Sequence, residues 1–355
     1  MHRIERGVTH RPGPRHGRQA ARLALLTLLP LAAGGLLQPS AGAESVATRA
    51  LRPRPVAWTA ADTTGEQRGV RSYWTRSRMR AARYFDMTLS GSRTRSSGSA
   101  TTGQAVAIAP TTGAGSLGAS ARSTPAAVWP GTGAVARTTG RVFFTITGGA
   151  DAGRNASCSG SAVTSANRSV VITAGHCVKT GGSFHANWVF IPGFDSGNRP
   201  FGTWVATNLY TTQQWSATED INFDMAAAVV APLNGRNLVD VVGGQGIAFN
   251  QARNRQMYSF GYPAAPPFDG SRLIFSADRT INDPLGSNDI GLRSRLTGGS
   301  SGGPWFLDFN ERTGAGVLNS LNSFKYNSAP NFMFGPFFGN EAQAVYNAAQ
   351  AQGAR

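Results

Sequence analysis

The chain has 355 residues, 41% of them hydrophobic and 15% charged, with two cysteines and a formal net charge of +16. A balance this basic suggests nucleic acid until it is divided along the chain: residues 44–140 carry a net +9 and residues 141–355 only +2. The excess therefore belongs to one segment, and a nucleic-acid role for the whole chain is excluded. Two cysteines are too few for a zinc site built on three or four thiolates.

Residues 1–22 hold six arginines and one glutamate, and an apolar run from Leu23 to Leu37 follows, broken by Pro30, Gly34 and Gly35. Ala41-Gly42-Ala43 then offers a small-residue cleavage site, so residues 1–43 read as a signal peptide. The run is too short and too broken for a comfortable membrane anchor. Residues 44–140 combine an arginine-rich part with a Gly/Thr/Ala-rich stretch from Ser96 to Gly140. The tracts Arg71–Arg78 and Arg93–Gly98 have the composition of solvated, weakly ordered chain, and the stretch behind them that of a linker or cleavage zone. Only Gln104–Ala109 there shows a pattern of useful length.

From Arg141 the character changes. Val142–Thr147 reads as a first strand, and short apolar or β-branched runs recur at Ser169–Ala174, Trp188–Ile191, Thr203–Leu209, Met225–Val230, Leu238–Val242, Gln256–Phe260, Arg272–Ser276, Trp305–Phe309 and Gly316–Leu318. Gly, Pro, Asn and Asp punctuate them, an all-β pattern. Glu341–Gln352, rich in Ala, Glu and Gln, is helical. The 215 residues from 141 to 355 suffice for two cores.

The chemistry concentrates in Leu296–Trp305, where Ser301 sits in a glycine-rich turn, Gly298-Gly299-Ser300-Ser301-Gly302-Gly303. A serine hydroxyl becomes nucleophilic only with a base to take its proton and donors to hold the oxyanion. Gly299–Gly303 also fits the G-x-S-x-G elbow of α/β-hydrolases, but those place a histidine after the serine and no histidine follows Ser301. Upstream, outside the export segment, stand His176 and His185. His176 ends a β-branched run, Val170–Thr173, which presents the imidazole from a buried strand. His185 lies in a loop-like stretch without that setting.

Thr173-Ala174-Gly175-His176-Cys177 and Ser300-Ser301-Gly302-Gly303-Pro304, about 125 residues apart, resemble the histidine and serine segments of chymotrypsin-like serine peptidases. The resemblance covers roughly residues 141–355. It implies two six-stranded antiparallel β-barrels with a C-terminal helix, with His176 and Asp on the first barrel and Ser301 on the second. It also implies a catalytic Ser-His-Asp arrangement. Asp224 leads directly into an apolar strand, as the family's carboxylate does, whereas Asp220 reads as a turn or cap residue. The oxyanion hole implied is the pair of backbone N–H groups of Gly299 and Ser301. Ser300 stands where trypsin-like zymogens carry Asp, so their salt-bridge switch is not expected. Cys158-Ser159-Gly160 resembles the strand preceding the histidine strand, and the resemblance implies a Cys158–Cys177 disulfide, worth about 3 kcal/mol in the chain-entropy model. Phe260-Gly261-Tyr262-Pro263 is similar to the secreted bacterial branch that includes glutamyl endopeptidases.

These features read together as an exported serine endopeptidase made as a pre-pro-enzyme, secreted, monomeric, needing no cofactor or metal, and acting on polypeptides. A silent binding module on the same fold, or an esterase or basic surface-binding protein led by the arginine-rich segment, are the alternatives. Active enzyme is expected to begin between Gly133 and Val142, with Arg137 and Arg141 as cleavage points. Counting six residues back from Ser301 puts Arg295 at the floor of the substrate pocket. Leu318–Asn322 would form its wall, with Ser320 lining it and Asn322 narrowing the entrance. Specificity for Arg or Lys is therefore not expected.

Overall fold

The computed structural model describes residues 53–90, 98–111 and 122–354. The expected export segment, residues 1–43, and the tract Arg93–Ser97 lie outside the described residues. Before the two cores come five short strands: β1 (Val56–Thr59), β2 (Arg83–Tyr84), β3 (Thr88–Leu89), β4 (Val106–Ile108) and β5 (Thr124–Val128). The first core uses β6 (Thr139–Thr145), β7 (Asn155–Ala162), β8 (Val170–Thr173), β11 (Ala186–Pro192), β12 (Trp204–Thr211) and β13 (Ala226–Val230), with a two-strand ladder, β9 (Lys179–Thr180) and β10 (Ser183–Phe184), beside them. Its six strands run β12-β11-β6-β7-β8-β13, and β13 pairs back onto β12, closing an antiparallel barrel. Every residue of β8 and β13 is buried. The helix Asn340–Ala351 packs on β12 and β13 from outside, so β13 is covered on both faces and reads as an unbroken Ala/Val run instead of an alternating one. The helix buries Glu341, Ala342, Val345, Tyr346 and Ala349, a stripe at helical spacing.

The second core comprises β15 (Gln256–Gly261), β16 (Ile274–Arg279), β18 (Ile290–Arg293), β19 (Pro304–Asn310), β20 (Ala315–Leu321) and β22 (Phe332–Gly335). β20-β19-β15-β16 form one antiparallel run, and β18 pairs with β22. The ring closes on one side where Ser323 and Phe324, just past β20, donate to the Phe334 carbonyl of β22. On the other side β16 lies against β18, with the Ser276 and Ser294 hydroxyls bonded at 2.9 Å. Around this ring sit β14 (Gly246–Phe249), parallel to β20, and the short strands β17 (Ile281–Asn282) and β21 (Lys325–Tyr326). The all-β double barrel with a C-terminal helix is the fold.

Two local expectations fail. Leu238–Val242 is a helical turn, not a strand. Four apolar residues around Asp240 are too few to set a period, and the backbone turns at Gly243, φ +80°, before β14 begins. The arginine-rich tract is not weakly ordered either. Thr64–Tyr73 is a helix with a Thr63/Glu66 capping box, and Arg76–Ala81 is a second helix capped by Thr75. Their arginines Arg76 and Arg78 are exposed, while Trp74 between the helices is buried against Phe143 and donates to the Asn187 carbonyl at 2.6 Å. Composition records the solvent face; the buried Trp74 and Met79, with the Tyr73 hydroxyl on Asn155, tie the helices to the first barrel. The linker, too, contributes strands: β4 pairs with β14 and β5 with β16.

Candidate active site

His176 sits in a tight turn, Gly175–Cys177, that ends β8. Gly175 has to be glycine, because a Cβ there would lie 2.7 Å from the Trp215 ring and 2.9 Å from the Asp224 carboxylate. That absence of a side chain lets Asp224 reach His176 twice: Oδ1 accepts from the His176 backbone N–H at 2.8 Å, and Oδ2 lies 2.7 Å from the ring Nδ1. With the carboxylate ionised, Nδ1 carries the proton and Nε2 is left as an acceptor. The Ser323 hydroxyl donates a third bond, to Oδ2 of Asp224. Both His176 and Asp224 are essentially closed to solvent. Asp220 instead caps the turn Ile221–Phe223, its side chain accepting from Asn222 N–H.

His185, expected in an unremarkable loop, is buried beneath this site. Its ring stacks on Phe144 at 4.4 Å, its Nε2 lies 3.1 Å from the His176 carbonyl, and burial pulls its pKa down to about 4. It is a neutral strut for the His176 backbone. Cys158 on β7 and Cys177 are joined by a disulfide that clamps the turn to the neighbouring strand. With their sulfurs bonded to each other, neither offers a thiolate to a metal.

Ser301 is brought to the same place by β7. Ser159 N–H donates to the Ser301 carbonyl at 2.7 Å, and the Ser159 hydroxyl holds the Gly299 carbonyl at 2.9 Å. Gly302 has φ +77°, and a Cβ on it would meet the Thr173 hydroxyl of β8 at 2.2 Å. Only glycine lets the serine turn approach the histidine strand so closely. Ser300 points inward, its hydroxyl bonded to the Thr297 carbonyl.

The pocket residues read from the sequence need correction. Arg295 is exposed, with its backbone N–H on the Pro125 carbonyl, so it is no buried floor. Ser320 bonds the Pro336 carbonyl inside the second barrel. Asn322 is wholly buried: its amide donates to the Phe260 and Ser300 carbonyls and accepts from Ser259 and Trp305. It braces the serine turn from behind and narrows no entrance. Along the cleft run Ser323, Phe324 and Lys325 instead, three residues further on. Lys325 donates from Nζ to the Ser294 and Pro330 carbonyls, and burial lowers its pKa to about 8. The bond from Ser323 to Asp224 is what fixes this register, and no spacing in the sequence announces it.

The cleft is not open. Residues 83–89 cross it, with β2 parallel to β7 on one rim and β3 parallel to β21 on the other. Phe85 lies between, its ring 5.6 Å from that of His176 and its carbonyl accepting from Gly299 N–H at 3.1 Å and the Ser301 hydroxyl at 3.3 Å.

A double β-barrel that holds a buried Asp-His pair and a serine in a glycine turn defines a hydrolase of the serine-peptidase class. Among solved structures, a protease named Anisep from Arthrobacter nicotinovorans is 42% identical over 61% of this chain and 96% of its own, with a TM-score of 0.57. A thermostable serine protease, AL20, from an extremophilic microorganism is 41% identical over 62% of this chain and 99% of its own, also at 0.57. A Glu endopeptidase shares the fold at 18% identity and a TM-score of 0.50, covering 64% of this chain and 98% of its own. No family model and no curated protein matches the chain. The chain belongs to the chymotrypsin-like serine proteases.

Proposed function

We propose that the chain is an exported serine endopeptidase made as a pre-pro-enzyme, with Ser301 as nucleophile, His176 as base and Asp224 as the carboxylate that orients it. The observation that carries this reading is the pair of hydrogen bonds between Asp224 and His176, to the backbone N–H and to Nδ1, which leaves Nε2 as the unbonded ring nitrogen. In turnover, Nε2 takes the Ser301 proton as Oγ attacks the scissile carbonyl, and returns it to the leaving amine; water then repeats the cycle on the acyl-enzyme. The N–H groups of Gly299 and Ser301 are the proposed oxyanion donors. Residues 1–43 are the proposed signal and residues 44–140 the pro-segment. The disulfide supports an oxidising, extracellular destination. Among the described residues no helix is long and apolar enough to cross a membrane. The substrate is polypeptide, the working form a monomer without nucleic acid, and nothing in the proposed chemistry calls for a metal or cofactor.

A fluorophosphonate probe should label secreted protein at Ser301. Ser301→Ala and His176→Ala should each abolish most turnover without unfolding the protein. Asp224→Asn should lower kcat by about 10⁴, the scale of a lost ring orientation, while Asp220→Asn retains most activity. Full activity in Asp224→Asn would overturn the assignment.

A further inference from the structure

We propose that residues 83–89 form an inhibitory strap whose Phe85 carbonyl takes the place of a substrate carbonyl without being cut, so that the pro-segment is a tethered ligand of the active site. The proposal rests on the reading of Ser301 as nucleophile. Three features carry it.

The first is how the strap is held. Phe85 N–H donates to the Ser157 carbonyl on the β7 rim, and on the other rim Lys325 and Asn327 N–H groups donate to the Met87 and Leu89 carbonyls. Met87 and Leu89 pack on the cluster of Ile221, Phe324, Tyr326 and Phe334. The strap therefore fills both halves of the cleft and is anchored mostly through its backbone.

The second is the direction of the serine hydroxyl. Attack requires the Ser301 proton to face Nε2 of His176 and a lone pair to face the carbonyl carbon. Here the hydroxyl donates to the carbonyl oxygen of Phe85, the atom that Gly299 N–H also holds. Nε2 of His176 is buried and bonded neither to Ser301 nor to the Asp86 nitrogen, which would have to receive a proton for the Phe85–Asp86 bond to break. The base is disconnected from nucleophile and leaving group alike.

The third is the cover. The Phe85 ring lies over His176 and edge-on to Phe144, and Tyr84 and Asp86 both press on Gly298, where an added Cβ would come within 2.5 Å of the Tyr84 ring and 2.9 Å of Asp86 Cβ. Asp86 keeps a solvent-exposed side, while desolvation raises its pKa against the opposing pull of His176 and Lys325. An aromatic residue followed by an acidic one matches a cleft that offers a histidine ring and a lysine. Upstream, β1 on β12 and Trp74 on Phe143 supply the tether.

The test measures the rate at which a fluorophosphonate labels Ser301 in full-chain wild type, full-chain Phe85→Ala and the secreted, trimmed form. Wild-type full chain should label roughly ten-fold or more slower than the trimmed form, as expected for a ligand raised to high effective concentration by its tether. Phe85→Ala, which keeps the carbonyl and the backbone bonds and removes only the ring over His176, should recover part of the difference with the melt of the first barrel unchanged. Equal rates in full-chain wild type and trimmed protein would overturn the proposal. Failure of the trimmed form to label would overturn the nucleophile reading, and the inhibitory role with it. A synthetic peptide spanning Arg83–Leu89, incubated with trimmed enzyme, gives a readout independent of the variant's folding. It should be recovered intact by mass spectrometry, and cleavage between Phe85 and Asp86 would show a substrate where we infer an inhibitor.

Discussion

Ser323 acts on His176 through Asp224 and His185 through the His176 carbonyl, and neither is legible as a functional residue in the sequence. Ser323 completes the set of donors on Asp224, so Ser323→Ala removes a hydrogen bond to a charged group. Such bonds contribute about 1.5–3 kcal/mol, and kcat of the secreted form should fall by roughly ten-fold or more. KM should change little. A kcat equal to wild type would show that two bonds hold Asp224 as well as three. His185 bears on stability. Its folded pKa is about 4, below the ordinary value of 6.5, because burial disfavours the charged ring and both His176 and Lys179 repel it. The unfolded chain therefore binds a proton from pH 6.5 downward while the folded chain does not. Stability is full above pH 6.5 and falls as the pH drops towards 4. His185→Gln keeps a donor for the His176 carbonyl but cannot titrate. Urea unfolding at pH 7 and pH 4.5 should show wild type losing on the order of 2 kcal/mol more than the variant. Parallel losses would mean that His185 is hydrated in solution.

At the scale of elements, the parts that show in the sequence are those where burial and chemistry coincide. The β-branched run Val170–Thr173 delivers His176, the Ala/Val run at 226–230 follows Asp224, and the glycine turn surrounds Ser301; each fixes a short segment whose pattern has one reading. The cleft wall is not legible because no spacing in the sequence fixes where the chain leaves β20, so that Asn322, expected at the entrance, is a brace and Lys325 stands further along. The helices of residues 64–81 are not legible because most of their side chains, arginines among them, face solvent and only Gln67 and Met79 within them are buried. The corrected wall still argues against basic side chains next to the scissile bond. Lys325 places an ammonium there, held by two carbonyls and close enough to Asp86 for each to shift the other's titration. A peptide-library profile of the secreted form at pH 7 should show Arg and Lys disfavoured. Lys325→Met should weaken the discrimination. A wild-type profile dominated by Arg or Lys would sink this account of the wall.

For the whole molecule, the arrangement of strands bears on where maturation ends. Every strand before β6 is peripheral: β1 sits at the end of the first sheet, β4 and β5 at the two ends of the second, β2 off the main path and β3 in a two-strand ladder with β21. Removing all five would leave both six-stranded rings complete, which supports release of everything ahead of the first ring. The chain just before β6 is different. Val135 is fully buried, Ala134 N–H bonds the Thr313 carbonyl, and Arg137 reaches the Val242 carbonyl. Arg141 is itself buried in β6, with its guanidinium on Ser157 and between Phe143 and Phe194. A protease acting on folded protein cannot reach Arg141, and a cut after Arg137 would discard the buried Val135. Within the expected window of Gly133 to Val142, the active form should therefore begin at its upstream edge, close to Gly133, where the chain turns in the glycine-permitted region at φ +76° and Gly131 turns likewise at φ +81°. N-terminal sequencing of secreted, fluorophosphonate-reactive protein decides it. A start at Glu44 would make the segment a permanent domain. A start between Ser90 and Thr101 would mean that β4 and β5 stay with the second barrel and only the strap and its helices leave. A start at Val142 would require β6 to lose Arg141 after folding, contrary to its burial.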